Sequence, residues 1–209
     1  MDFIRMEDEC MIKNIVFDMG NVLLAYKPKE YVKTITTDET IADAILKEFL
    51  FSQEWIMLDA GEITEEEAVA RVQARIPEYA EYVQKAMDNW HTDLTPIEGM
   101  DNLVKTLKEK GYNIYLLSNT SLRFYQYQPN VEMFKHFDGF FISAKERLLK
   151  PQKEIYEKFL ERFNLVSNEC LFIDDLEENI KGAESVGIIG HQFRGKDELV
   201  EYLKTNGIL

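Results

Sequence analysis

The chain has 209 residues and is strongly acidic, with 24 Lys and Arg against 38 Asp and Glu and a formal charge of −14. Such a surface repels nucleic-acid backbones and anionic lipids, so we expect no nucleic-acid or membrane partner bound through charge. Two cysteines provide neither a disulfide framework nor a zinc-binding spacing. The length predicts one domain that carries a smaller insertion.

The first residues give two expectations about the start of the chain. No apolar stretch typical of a signal peptide follows Met1, and no run is long enough to span a bilayer, so we expect a cytoplasmic protein. We also expect residues 1–10 to be a disordered leader, with Met11 as an alternative start of translation.

Short apolar runs separated by helical patterns predict the core of the fold. The predicted strands are residues 14–17, 113–117, 139–143 and 170–173. The predicted helices between and after them cover residues 100–107, 151–163, 179–185 and 196–203. Continuous apolar runs suit parallel strands that are covered on both faces. Strands that alternate with helices predict an α/β fold with a doubly wound, Rossmann-like parallel sheet.

The interval over residues 26–93 differs from the rest of the chain. It contains no convincing strand pattern, but it has helix signals such as the capping box of Thr64 and Glu67. It is also far too long for a loop within a compact unit. We therefore predict an inserted helical subdomain over residues 26–93 and a core formed by residues 11–25 and 94–209.

Three smaller features complete the predicted layout. Pro151 is expected in the first turn of its helix, where proline is favoured. Trp55 and Trp90 are expected to form the apolar core of the insert. Residues 59–61, an Asp-Ala-Gly sequence, are expected to form a turn between two of its helices.

Polar side chains follow the predicted strands at the points where the apolar runs stop. Because ligands of open α/β sheets bind at the carboxyl ends of the strands, we expect these side chains to form one site. A carboxylate is rarely buried alone, so a cation or a reactive group is expected beside it. In chain order the set is Asp18, Ser118, Asn119, Lys150, Asp174 and Asp175.

This set suits phosphoryl transfer through an aspartyl phosphate. Asp18 is the expected covalent nucleophile. Asp18 and Asp175 are expected to hold Mg²⁺, which takes one or two carboxylates together with phosphate oxygens. Ser118 and Asn119 are expected to donate hydrogen bonds to the phosphoryl oxygens. Lys150 is expected to bind the phosphate and to neutralise the charge of phosphate and nucleophile during catalysis.

The motifs resemble those of the haloacid dehalogenase-like (HAD) hydrolase superfamily. The family's four motifs occur in order at residues 17–22 (Phe-Asp-Met-Gly-Asn-Val), 117–119 (Leu-Ser-Asn), 150–151 (Lys-Pro) and 172–175 (Phe-Ile-Asp-Asp), with Asn179 four residues on. The resemblance implies a Rossmann-like core, a mobile helical cap, Mg²⁺ and hydrolysis of phosphate esters. It also implies that the backbone carbonyl of Gly20 is a metal ligand. We expect Asp174 and Asn179 to orient their neighbours.

The position two residues after Asp18 departs from the family pattern. Most phosphatases of the family carry a second aspartate there, which protonates the leaving oxygen, whereas this chain has Gly20. A positioned proton donor typically contributes about 10²–10⁴-fold to the rate. The Asp-x-Gly-Asn-Val form resembles a branch that includes phosphatases of glucose 1-phosphate, whose anomeric phosphate leaves more easily. The resemblance therefore implies a small phosphorylated metabolite, a sugar phosphate, as the substrate.

Two other functions stay open on the sequence. A 2-haloacid dehalogenase would use Asp18 against carbon, and because a halide needs no proton, Gly20 would do no harm. Against it, the pair of Asp174 and Asp175 suits a cation better than an alkyl halide. A catalytically silent relative would bind a phosphorylated metabolite without turning it over. The sequence pattern favours neither a monomer nor an oligomer.

Overall fold

The core of the protein is a parallel sheet. The computed structural model describes residues 11–209, and the leader predicted at residues 1–10 lies outside them. The strands are β1 Asn14–Phe17, β2 Leu24–Ala25, β3 Thr95–Pro96, β4 Asn113–Ser118, β5 Gly139–Ile142, β6 Cys170–Asp174 and β7 Ile189–Gln192. Five of them form a parallel sheet in the order β5-β4-β1-β6-β7. Helices connect its strands, which confirms the predicted Rossmann-like α/β fold.

The four predicted strands are all present, each within one residue of its predicted ends. The sequence did not reveal β7, because Gly190, His191 and Gln192 interrupt the apolar run that marks the other strands. β7 lies at the edge of the sheet and pairs there with β6 alone. A strand at an edge is covered less completely than a central one, so polar residues are tolerated in it.

A helical insert occupies the chain between β2 and β3. Its helices are α1 Pro28–Ile35, α2 Glu39–Ile45, α3 Gln53–Asp59, α4 Glu65–Arg75 and α5 Ala80–Asn89. The predicted capping box is confirmed at the start of α4, where Thr64 N donates to Glu67 Oε2 at 2.9 Å and Glu67 N donates to Thr64 Oγ1 at 3.2 Å. The antiparallel pair of β2 and β3 joins the insert to the core. We refer to residues 28–93 as the insert.

The remaining helices belong to the core. They are α6 Met100–Glu109, α7 Phe124–Tyr127, α8 Ser143–Glu146, α9 Lys153–Phe163, α10 Glu177–Glu184 and α11 Lys196–Thr205. The prediction for Pro151 is wrong, because α9 begins at Lys153 with Gln152 as its N-cap. Two hydrogen bonds between the Asn119 side chain and the backbone of Lys150 hold that backbone outside the helix. Within residues 11–209, each helix is too short or too polar to cross a bilayer.

Buried apolar side chains connect the insert to the sheet. One continuous cluster includes Ile15 and Phe17 of β1 together with Val72 of α4 and Val83 of α5. A second cluster, which includes Val16, covers the other side of β1. Side chains of a strand alternate between the two faces of its sheet, so β1 is buried on both. The shared cluster fixes the insert against the core.

Candidate active site

The register of the sheet brings the predicted residues to one edge. β1 lies between β4 and β6, and Phe17 is level with Ile173. Asp18 comes directly after β1 and Asp174 is the last residue of β6, so the two lie side by side. Ser118 ends β4 on the other side of β1. All three are buried at the carboxyl ends of the strands, where ligands of open α/β sheets bind.

Lys150 lies between two carboxylates. Its Nζ donates to Asp18 Oδ1 at 2.7 Å and to Asp174 Oδ2 at 2.6 Å, and its side chain is 1% exposed. Burial alone would lower the pKa of Lys150, but the charges of Asp18 and Asp174 outweigh it and raise the pKa above its ordinary value. The ammonium group is therefore a permanent cation at neutral pH.

Asn119 fixes the backbone of Lys150. Its Oδ1 accepts from Lys150 N at 2.9 Å, and its Nδ2 donates to Lys150 O at 3.0 Å. These two hydrogen bonds join the loop after β4 to the loop that carries the lysine. Asn119 therefore sets the position of the Lys150 ammonium group beside Asp18.

Asp174 is enclosed by donors. Besides Lys150, it accepts hydrogen bonds from Leu176 N at 2.9 Å and from Asn179 Nδ2, which lies 3.0 Å from each carboxylate oxygen. Asp174 is 0% exposed and does not line the neighbouring cavity. Asp174 therefore joins Lys150 to the loop after β6 and to Asn179 of α10.

The carboxylates fit a divalent cation. Oxygen atoms of Asp18, Asp174 and Asp175 lie within 4.8 Å of one another, with Lys150 as the cation among them. Burial raises the pKa of Asp18 to about 6, although Lys150 opposes this, and burial together with the charge of Asp174 raises the pKa of Asp175. Mg²⁺ prefers oxygen ligands. Asp18, Asp175 and Gly20 all line the cavity.

A cavity of about 240 Å³ lies against this edge of the sheet. The sheet edge and its loops contribute the predicted site residues to its lining, namely Asp18, Gly20, Ser118, Asn119, Lys150, Asp175 and Asn179. Tyr26, just before the insert, and Leu94, just after it, also line the cavity, as do three residues of the insert, Trp55, Asp59 and Trp90. Its volume is slightly below the range of about 300–1,000 Å³ that is typical of pockets for drug-sized ligands. The cavity therefore suits a small ligand.

The sequence did not reveal which residues of the insert line this cavity. Trp55 and Trp90 pack in the apolar core of the insert, as predicted, with ring centroids 5.4 Å apart, and they also face the cavity. Asp59 ends α3, and the predicted turn follows it with Gly61 at φ +67°. An aspartate before such a turn is ordinary in a sequence, and only the packing of the insert brings it to the site.

Comparison with known proteins places the chain in a family. Residues 12–187 match the sequence profile described as haloacid dehalogenase-like hydrolase. The chain is 28% identical over 179 residues to the sesquiterpene phosphatase astK of Aspergillus oryzae, covering 85% of this chain and 88% of that protein. It is 25% identical over 155 residues to flavin mononucleotide hydrolase 1 of Arabidopsis thaliana, covering 74% of this chain and 62% of that protein.

Solved structures agree with this assignment. A HAD family enzyme from Bacteroides thetaiotaomicron, solved in complex with magnesium and inorganic phosphate, is 26% identical with a TM-score of 0.71, covering 89% of this chain and 96% of that one. The L-2-haloacid dehalogenase of Xanthobacter autotrophicus is 17% identical with a TM-score of 0.66, covering 95% and 85%, and shares the fold. The profile match, the fold and the site together show that this chain belongs to the haloacid dehalogenase-like hydrolases.

Proposed function

We propose that the chain is a magnesium-dependent phosphatase that hydrolyses a small phosphate monoester through an aspartyl phosphate on Asp18. The observation that carries the proposal is the buried contact of 2.7 Å between Asp18 Oδ1 and Lys150 Nζ. In this contact a permanent cation lies beside a carboxylate, and both residues line a small cavity. The magnesium and phosphate bound to the Bacteroides enzyme support the same chemistry.

Each polar group of the site has a task in this reaction. Asp18 attacks phosphorus, and Lys150 neutralises charge on the nucleophile and on the phosphoryl group. Ser118 donates a hydrogen bond to one of the remaining phosphoryl oxygens. Asn119, whose Nδ2 already donates to Lys150 O, donates to another from its remaining N–H groups. Mg²⁺, held by Asp18, Asp175 and the Gly20 carbonyl, would supply the charge neutralisation that lets an anionic phosphate approach these carboxylates.

The aromatic lining indicates where the organic part of the substrate lies. Tyr26, Trp55 and Trp90 line the cavity, and their rings offer flat apolar surfaces to a sugar ring, a planar heterocycle or an isoprenoid chain. The sugar phosphate inferred from the first motif stays a prediction. A screen for phosphate release with glucose 1-phosphate, flavin mononucleotide and an isoprenoid monophosphate would separate these classes.

We further assign the insert the role of a cap over the active site. Trp55, Asp59 and Trp90 line the same cavity as Asp18. Arg123 of the core bridges the two parts, because its Nε donates to Glu65 Oε1 of the insert at 2.8 Å. Contacts of this kind hold the cap closed over the substrate and exclude water from the reaction.

Removal of the metal tests the proposed function. A metal that polarises a phosphoryl oxygen contributes several kcal/mol, so chelation by EDTA should lower the rate of phosphate release by about 10²-fold or more. Excess Mg²⁺ should restore the rate. The measurement is phosphate release from 4-nitrophenyl phosphate and from the best substrate of the screen.

The same experiment decides between the phosphatase and the dehalogenase. A dehalogenase has no phosphate to bind and would release chloride from 2-chloropropionate in the presence of EDTA. Chloride release that is unaffected by EDTA, with no phosphate release from any ester, would overturn the proposed function. Binding of phosphate without turnover of any ester would instead indicate the silent relative.

A further inference from the structure

We propose that Asp59 of the insert replaces the acid that is absent at Gly20, protonating the leaving oxygen and then accepting a proton from the attacking water. This inference rests on the phosphatase function proposed above. Three carboxylates line the cavity, Asp18, Asp175 and Asp59. Asp18 and Asp175 belong to the cluster that suits a metal, and Asp59 is the one outside it.

The Asp59 carboxylate has no partner among the described residues. Within residues 11–209, neither a cation nor a hydrogen-bond donor stabilises its charge. Asp59 is only partly exposed, and a carboxylate on the wall of a confined cavity without a partner is less well solvated than one in bulk water. A role in proton transfer explains the missing partner, because a donor and acceptor of protons must be free to reach the substrate.

The backbone around Asp59 is anchored to the core. Ser143 Oγ donates to Asp59 O at 2.6 Å and accepts from Thr120 N at 2.9 Å. Two residues on, a Cβ at Gly61 would lie 2.0 Å from the carbonyl oxygen of Ala144, so only glycine allows this close approach. The buried hydroxyl of Ser143 thus connects the backbone of Asp59 to the loop that follows Ser118.

The direction of the reaction places the acid on the side of the insert. In phosphoryl transfer the attacking and leaving oxygens are roughly in line. Asp18 attacks from the sheet edge, so the ester oxygen leaves toward the part of the cavity that the insert lines. Water must later attack from that same direction. Asp59 lies on this part of the lining.

The two half-reactions balance with Asp59 as the proton carrier. First, the Asp18 oxygen bonds to phosphorus while the bond from phosphorus to the ester oxygen breaks, and the carboxyl proton of Asp59 moves to that oxygen. The alcohol leaves. Then the oxygen of water bonds to phosphorus, its proton moves to Asp59, and the bond from phosphorus to Asp18 breaks. Inorganic phosphate leaves, and both carboxyl groups are restored.

The surroundings of Asp59 suit this role. Burial raises its pKa to about 7, and a catalytic acid or base works best when its pKa lies near the working pH. The groups close enough to interact with Asp59 are Tyr26 and Tyr127, whose pKa values are raised by burial and, to a smaller extent, by the charge of Asp59. Across the cavity lie the charged groups of Asp18, Asp175 and Lys150. A tyrosine is ordinarily a much weaker acid than an aspartic acid, and burial raises the pKa of Tyr26 as well, so Asp59 is the better proton donor.

The test compares good and poor leaving groups in the Asp59→Asn variant. The value of kcat/KM reports steps up to the release of the alcohol. For 2-phenylethyl phosphate, whose leaving group needs a proton, kcat/KM should fall by about 10²–10⁴-fold. For 4-nitrophenyl phosphate, whose leaving group does not, kcat/KM should change only a few-fold. Loss of the base should also slow hydrolysis of the aspartyl phosphate, so nitrophenolate should appear in a burst.

Controls and the pH profile complete the experiment. Asp93→Asn changes a carboxylate that lines a neighbouring smaller cavity, and it should behave like wild type with both esters. For wild type, kcat/KM with the alkyl ester should fall as the pH rises above about 7, where Asp59 loses its proton. This fall should be absent in Asp59→Asn. Circular dichroism should show that the variant is folded.

The outcomes separate this inference from the proposed function. Equal losses of kcat/KM for both esters, or no loss for either, would overturn the role of Asp59 while leaving the phosphatase intact. A wild-type protein that releases no nitrophenolate from 4-nitrophenyl phosphate with Mg²⁺ would overturn the phosphatase, and the role of Asp59 with it.

Discussion

Replacement of Asp18 by Asn should abolish phosphate release, lowering kcat by about 10⁴-fold or more, which is the scale seen when an enzyme loses its nucleophile. An amide is a poor nucleophile and cannot form the aspartyl phosphate. The fold should survive, because burial already disfavours the ionised carboxylate and Lys150 keeps its contact of 2.6 Å with Asp174. The amide oxygen can also accept the hydrogen bond from Lys150.

Phosphate release from 4-nitrophenyl phosphate measures this loss, and thermal unfolding checks the fold. Asp101→Asn, which changes an exposed carboxylate in the first turn of α6, is a matched control and should retain wild-type kcat. Turnover of Asp18→Asn at the wild-type rate would show that no covalent intermediate forms on this residue.

Replacement of Lys150 by Met should impair both activity and stability. Removing one partner of a buried ion pair leaves an uncompensated charge and costs about 3–5 kcal/mol. Here two carboxylates, Asp18 and Asp174, would lose their shared cation. The rate should fall by about 10²–10³-fold, as when a group that stabilises transition-state charge is removed.

The loss of stability in Lys150→Met should depend on pH in a defined direction. Burial raises the pKa of Asp18 to about 6 although Lys150 lowers it, so loss of Lys150 raises this pKa further and Asp18 keeps its proton to a higher pH in the folded variant. Binding of this proton stabilises the folded state at low pH, and the contribution is lost as the pH rises through the pKa of Asp18 in the folded protein. The variant should therefore be more destabilised at pH 8 than at pH 5.

Thermal unfolding at the two pH values measures the effect of Lys150→Met. Lys153→Met offers the control, since Lys153 is half-exposed and pairs with Glu157 on the surface of α9. Surface pairs of this kind contribute little, so its unfolding temperature should stay close to that of wild type. A Lys150→Met protein as stable as this control at pH 8 would contradict the assigned role of the buried ammonium group.

The sequence predicted the parts of the structure that depend on local pattern. β1, β4, β5 and β6 are continuous apolar runs, and such runs identify strands covered on both faces. The capping box at Thr64 identified the start of α4. The polar residues at the carboxyl ends of β1, β4 and β6 could be grouped because parallel strands end at one edge of a sheet.

Other features depend on contacts between distant parts of the chain, which no local pattern records. Asp59 lines the cavity, and the backbone around it is anchored by Ser143 and by the close approach of Gly61 to Ala144. Pro151 lies before its helix because Asn119 binds the backbone of Lys150, overriding the local preference for proline in a first turn. These contacts are specified by packing, so they became visible only in the folded chain.

The position of β1 at the centre of the sheet also affects the order in which the protein can fold during synthesis. Asn14 pairs with Asn113 on one side and with Cys170 on the other, so one edge of the strand before Asp18 has no partner until β6 has been made. Contacts between residues far apart in the sequence form slowly, and unpaired strand edges promote aggregation. A ribosome-bound chain that ends before Cys170 therefore exposes an apolar strand and lacks both Asp174 and Asp175.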